Sequence, residues 1–164
     1  MNTNKEILSI SGKISPVPLP ALPAEGYINI KDPHWISGFT AGEGCFSVSV
    51  IKSKAKLGET SWIRFILTQH TRDQILMKSL ATYFGCGKIN QDSKATYFVV
   101  QRLSDLTDII IPFFDKHSLM GAKVLDYEDF KRAAELMNKK AHLTREGLEQ
   151  IRKIKSGIHT LRKR

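Results

Sequence analysis

The 164-residue sequence predicts an α+β fold, an antiparallel sheet with helices on one face in the order αββαββαα. Three observations carry this. Four segments alternate apolar and polar residues with period two, they fall into two pairs around short polar spacers, and helical spacing fills the stretches before, between and after them. A content of 41% hydrophobic and 25% charged residues suits one domain with a real core and excludes disorder over the whole chain.

Residues 1–32 read as a Pro-rich extended arm or linker. From Ser15 to Pro23 proline alternates with small or apolar residues, and each proline fixes φ and removes a donor. The domain proper, 33–164, opens at Asp32-Pro33-His34, where Asp32 is placed to cap a helix with Pro33 at its first position. That helix covers 33–42 and carries Ser37, Gly38 and Gly42, small residues that let another helix approach closely.

Cys45 to Lys52 forms the first strand, with Phe46, Val48 and Val50 on one face and Cys45, Ser47, Ser49 and Ile51 on the other. A Lys- and Gly-containing loop over 53–60 leads to a second strand, Ser61 to Gln69. Its Ile63, Phe65 and Leu67 face one way, and Trp62, Arg64, Ile66 and Thr68 the other. Residues 71–84 carry helical periodicity and end at Gly85. Gly87 to Gln91 and Thr96 to Gln101 pair as a second hairpin around Asp92-Ser93-Lys94. Ser104 is expected to cap a helix through Phe114 that kinks or breaks at Pro112. Two further helices follow over about 122–139 and 144–157, the latter starting at Thr144 without a full capping box.

With 25 Lys plus Arg against 16 Asp plus Glu, the formal net charge is +9. Such a balance points to a polyanionic partner, nucleic acid first and an anionic membrane second. No apolar run is long enough to span a bilayer. The first residues lack the charged-then-apolar pattern of a secretory signal, which predicts that the chain works where it is made. Cys45 and Cys86 make no metal or redox pattern and are expected as buried free thiols. A phosphate-cradling glycine loop and a supported Cys–His pair are both absent, which excludes nucleotide and thiol chemistry of the familiar kinds.

The most informative stretch runs from Trp35 to Phe46, a glycine-punctuated apolar helix ending in Gly42-Glu43-Gly44. A carboxylate at a helix C-terminus is poorly placed for the macrodipole, and a nearby divalent cation would reverse that penalty. On its own residues this is an exposed glutamate in a glycine turn. Over Ile36 to Gly44, however, the chain resembles the LAGLIDADG motif of homing endonucleases, present once. Ile36 to Cys86, Ile110 to Phe114, Gly121 to Lys123 and Leu143 to Leu148 are similar to the C-terminal half of fungal mitochondrial intron-encoded two-motif enzymes. Ala41 departs from the motif's earlier acidic position.

The resemblance implies a half-site. Two motif helices pack together, here through Trp35, Ile36, Gly38, Phe39 and Gly42, so the chain works as a homodimer or as a heterodimer with a separate LAGLIDADG half. It implies divalent metal (Mg²⁺ or Mn²⁺, with Ca²⁺ as a non-catalytic substitute) held by Glu43 and the Gly42 backbone. Lys123 is then an active-site base or phosphate contact, and Gln69 a group that orients water. It also implies a mitochondrial location and a role in intron mobility.

The sheet is expected to read double-stranded DNA through the major groove. Its readers are Cys45, Ser47, Ser49, Ile51 and Ser53 on the first strand and Trp62, Arg64, Ile66 and Thr68 on the second. Lys88 and Asn90 on the third and Thr96 and Phe98 on the fourth complete the set. Arg64 is suited to bidentate pairing with guanine, and Lys52, Lys54 and Lys56 to phosphate contact. The alternatives are an intron RNA maturase and a non-catalytic DNA-binding or structural dimer.

Overall fold

A computed structural model describes residues 26–161. The proline-rich stretch expected as an arm and the last basic residues, 162–164, lie outside the described residues. The chain runs through α1 (Pro33–Glu43), β1 (Gly44–Lys52), β2 (Glu59–His70), a 3₁₀ turn (Thr71–Asp73), α2 (Gln74–Phe84), β3 (Lys88–Gln91) and β4 (Ala95–Val100). A helical run follows, as α3 (Leu103–Asp105), a wide π turn (Leu106–Ile110) and α4 (Ile111–Lys116). Then come α5 (Lys123–Asn138), a 3₁₀ turn (Ala141–Leu143) and α6 (Arg145–Leu161). Each predicted strand and helix is present, with three helical stretches after β4 where the order αββαββαα counts two, and all pairing is antiparallel in the order β1-β2-β4-β3.

Local chemistry explains the ends. Asp32 accepts from the His34 N–H at 2.9 Å and Pro33 sits in the first turn, the expected cap of α1. Gly85, at φ 65°, closes α2 in the left-handed conformation. Thr144 accepts from the Gly147 N–H at 3.1 Å, half a capping box, as its sequence allowed. Gly147 is obligatory, since a Cβ there would lie 1.9 Å from the Ala141 carbonyl oxygen.

Two helix expectations need correction. Ser104 lies inside the first turn of α3; the capping position is Arg102, with no side-chain bond to the helix. Pro112 does not break the run. It cannot donate to Asp108, and the π turn immediately before it absorbs the mismatch while the helix continues to Lys116.

The core lies between one sheet face and the helices. Phe46, Phe65, Phe98, Phe114 and Phe130 are all fully buried. Phe46 is the hub: its ring centroid lies 5.2 to 5.7 Å from those of Phe65, Phe114, Tyr127 and Phe130. Being three residues past Glu43, it welds the end of α1 to the body of the domain. Truncating such a ring costs about 3–5 kcal/mol.

The described part of the N-terminal arm packs on the domain. Ile28 donates its N–H to Ser79 Oγ of α2 at 2.8 Å, and Ile30 packs against the core. Among the described residues no helix is long and apolar enough to cross a membrane. Neither cysteine is in a disulfide, and both are half-buried rather than buried. Burial, reinforced by the charge of Asp105, pushes the Cys86 thiol up from its ordinary value.

Candidate functional site

Three elements meet where α1 hands over to β1. The exposed Glu43 ends the helix, and Gly44 turns the chain directly into the strand. A Cβ on Gly44 would lie 2.5 Å from the Thr40 carbonyl oxygen, which the Gly44 N–H also caps, so only glycine makes this turn. Gly42 differs, because a Cβ there would meet nothing.

The third element is α5. Its first residue, Lys123, follows Gly121 at φ 75° and is half-buried. Its Nζ donates to the Gly44 carbonyl oxygen at 2.6 Å, across 79 residues of sequence. Thus a carboxylate at a helix C-terminus and an ammonium at a helix N-terminus are gathered at one residue. Each charge opposes the dipole of its own helix. Among the described residues Lys123 pairs with no carboxylate.

Gln69 lies at the same end of the sheet, two residues beyond the Gly44–Leu67 pair. Its Oε1 accepts from the neighbouring His70 N–H at 3.0 Å. The amide is thus held by its own strand.

No group of three or more His, Cys, Asp or Glu capable of holding a metal occurs among the described residues. Glu43 offers one hard carboxylate, and Gly42 a backbone carbonyl. That donor set fits Mg²⁺, which is commonly bound by one or two carboxylates with substrate phosphates and water supplying the rest. It does not make a self-contained cage.

The outer face of α1 is open. Trp35 (43% exposed) stacks on Phe39 with centroids 5.1 Å apart and planes 11° from parallel. Gly38 and Gly42 lie on the same exposed side, with empty space where a Cβ would be. Ile36 departs from the expected interface set. It is completely buried in this chain's own core beside Ser37 and Thr40, so it supports the helix from beneath. The helical period places residues 35, 38, 39 and 42 outward and 36, 37 and 40 inward.

The sheet's other face carries the predicted readers of β1 and β2. Cys45, Ser47, Ser49 and Ile51 alternate with the buried Phe46 and Val48, and Trp62, Arg64, Ile66 and Thr68 with Ser61, Ile63, Phe65 and Leu67. Register puts Ser47 opposite Arg64 and Ser49 opposite Trp62. Ser53 is in the turn, where its Oγ accepts from the Ala55 N–H at 3.1 Å. Lys88 and Asn90 are exposed on β3 as expected.

Thr96 and Phe98 are corrected. Both are fully buried, and Phe98 stacks on Phe84 with centroids 5.9 Å apart. The outward residues of β4 are Tyr97 and Val99, one position away. The register shows why: Asp92 and Ala95 close the turn, so Val99 opposes Lys88 and Tyr97 opposes Asn90, while Phe98 opposes Ile89. Once Lys88 and Asn90 face out, their partners must as well.

Further residues join this surface without having been anticipated. A cleft of about 770 Å³ beside Arg64 is lined by Lys88, Asn90, Val99, Gln101, Arg102 and Asp105, among others. The polar run Gln101-Arg102 after β4 was the available signal. Tyr97 is held in place by Asp92, whose Oδ2 accepts from its hydroxyl at 2.8 Å. Among the basic residues expected at phosphates, Lys52, Lys54 and Lys56 are exposed at the β1–β2 turn. Arg152 of α6 pairs with Glu59 at 2.7 Å and with Glu149 at 2.8 Å.

Comparison with known proteins follows the same outline. A family model described as LAGLIDADG endonuclease matches residues 36–134. "Probable intron-encoded endonuclease 2" of Neurospora crassa is 38% identical over 142 residues, 85% of this chain and 28% of that protein. "Probable intron-encoded DNA endonuclease 1" of Mycosarcoma maydis is 34% identical over 67% of this chain and 40% of its own length. Among solved structures, I-SmaMI bound to an uncleaved DNA target in the presence of calcium ions matches with a TM-score of 0.79 and 40% identity, over 94% of this chain and 53% of that one. I-AabMI bound to uncleaved DNA matches with a TM-score of 0.75 and 45% identity, over 80% and 48%. The chain thus spans about a quarter of the first curated relatives and about half of the solved ones.

Proposed function

Since the chain belongs to the LAGLIDADG endonuclease family, we propose that it forms half of a site-specific, divalent-metal-dependent endonuclease of double-stranded DNA. The observation that carries this reading is the gathering of Glu43 and Lys123 at Gly44. Neither charge helps its helix, so both are explained by something that binds between them.

Glu43 and the Gly42 carbonyl would hold the metal. A divalent cation bound there supplies positive charge that offsets the scissile phosphate and makes water more acidic. Lys123 has three donors and spends one on Gly44. The others are free to bond a phosphate oxygen and stabilise the charge that develops on it. Gly44, fixed by Thr40 and Lys123, holds this geometry without side-chain freedom.

One carboxylate per chain serves one site, so cutting both strands requires a second half. The exposed Trp35, Gly38, Phe39 and Gly42 surface is where it would dock, as another copy or a separate LAGLIDADG half. A homodimer imposes twofold symmetry on its target, which predicts a near-palindrome. The outer sheet face then lies in the major groove, with Lys52, Lys54 and Lys56 on phosphates. Relatives bear the names of introns, among them an ND4 intron of Podospora anserina and a cox1 intron of Schizosaccharomyces pombe, which supports a mitochondrial role in intron mobility.

The test is selection of duplexes bound from a randomised pool, followed by incubation with Mg²⁺. Cutting by the chain that is lost in Glu43→Gln, with binding retained, supports the reading. Equal cutting by the variant refutes it.

A further inference from the structure

On the outer sheet face the guanidinium carbon of Arg64 lies 3.7 Å from the centroid of the Trp62 ring, two residues back on the same strand. A cation centred this close to an indole is held by the ring's quadrupole. No other anchor competes: among the described residues Arg64 has no carboxylate partner, and its Nε is buried without a hydrogen-bond acceptor. The side chain is therefore held by stacking, while its hydrogen-bonding capacity stays unspent.

That combination suits recognition. A free arginine must give up rotamer freedom before its planar fork can bond a base. On Trp62 part of that ordering is already in place. The strand partners opposite are Ser47 and Ser49, short side chains that leave room above the sheet.

Resting on the DNA-endonuclease reading above, we propose that Trp62 and Arg64 form one reading unit. Arg64 specifies a guanine in the major groove through its O6 and N7, and Trp62 is the positioning residue that holds the guanidinium for it. Bidentate pairing of this kind discriminates against other bases by roughly 5- to 150-fold. The unit assigns one strong guanine position per half-site, beneath the middle of β2.

The experiment uses the full chain and a pool of duplexes with a randomised central region, sequencing what is bound with the wild type, Arg64→Ala, Trp62→Ala and Trp62→Phe. Thermal unfolding of each variant confirms folding. The wild type should enrich one guanine position, and Arg64→Ala should erase that preference at that position alone. Trp62→Ala should weaken the same preference several-fold, and Trp62→Phe, which keeps a ring, should restore most of it.

Loss spread evenly over all positions in Arg64→Ala would make Arg64 a phosphate contact and overturn the proposal. So would an unchanged profile in folded Trp62→Ala. A wild-type pool with no enrichment would overturn the DNA-binding reading as well as the reading unit. These outcomes separate the two.

Discussion

The ammonium of Lys123 donates to the Gly44 carbonyl oxygen at 2.6 Å and so ties the start of α5 to the residue after Glu43. A cation in the first turn of a helix faces the positive end of the dipole, and this one costs its helix rather than helping it. Its compensation is a charge-assisted bond and, under the proposed function, a phosphate. Lys123→Met should lower cleavage by about 100- to 1,000-fold, on the scale of removing one preorganised donor. Duplex binding should survive, and stability should fall by only about 1 kcal/mol. Single-turnover cleavage beside thermal unfolding measures both. A variant that cuts normally would leave Lys123 a merely structural residue.

Glycines 42 and 44, two residues apart, should behave oppositely. Gly44→Ala forces a Cβ to within 2.5 Å of the Thr40 carbonyl and should destabilise the chain by roughly 1–3 kcal/mol. Gly42→Ala meets open space and should stabilise α1 by up to about 1 kcal/mol through helix propensity. If the outer face of α1 receives a second half, the same change should weaken pairing. Denaturant unfolding and light scattering at two concentrations test this. A Gly42→Ala chain that pairs as strongly as the wild type, or two chains that never pair, would move the interface elsewhere.

If Lys52, Lys54 and Lys56 contact phosphates, as proposed, they carry no sequence information. Replacing any one by alanine should weaken binding to all duplexes alike and reduce the slope of log K against log salt by about 1. Fluorescence anisotropy from low to high salt reads that slope. A selective effect on one target sequence would show that the residue reads bases.

Asp115 links stability to pH. Burial raises its carboxyl, but the hydrogen bonds from Lys131 and Tyr127 outweigh burial and hold it below the usual range. A depressed carboxylate contributes stability that is fully present above its unfolded value, about 4, and lost as pH falls through the lower folded value. Its side chain is 43% exposed, so solvent screening limits the effect to well under about 1 kcal/mol. Asp115→Asn should therefore lower stability slightly at pH 7 and flatten its fall as pH drops below about 4. Unfolding midpoints across that range test this; an unchanged slope would assign the acid sensitivity to other carboxylates.

Most of the architecture was legible because strands report their faces by alternation. Phe46, Val48, Ile63, Phe65 and Leu67 are where period two put them. The failure at β4 has the same origin. Apolar and aromatic residues stand on both faces of Thr96 to Val100, so alternation could not decide, and the answer lay in the turn that pairs Gln91 with Thr96. Of the kink or break expected at Pro112 only the break is absent: the lost donor is accommodated by a π turn, which leaves no signal in composition.

At the site, Glu43 was visible through the motif, whereas the bond from Lys123 to the carbonyl of the adjacent Gly44 is a tertiary contact across 79 residues that no local pattern encodes. Ile36 shows the limit of reading a motif as a surface. A helix that serves an interface must also serve its own core, and the apolar residue at 36 does the latter. The Trp62–Arg64 stack needed coordinates, although strand alternation already put both residues on one face.

Everything proposed for catalysis depends on Glu43 being the metal-holding carboxylate of a DNA-cutting half-site. The most direct test incubates the wild type and Glu43→Gln with a duplex selected for tight binding, in Mg²⁺ and separately in EDTA. The wild type should cut both strands in Mg²⁺ alone, and the variant should cut at least about 100-fold more slowly at unchanged affinity. Equal cutting by Glu43→Gln, or cutting by the wild type that persists in EDTA, would contradict that role.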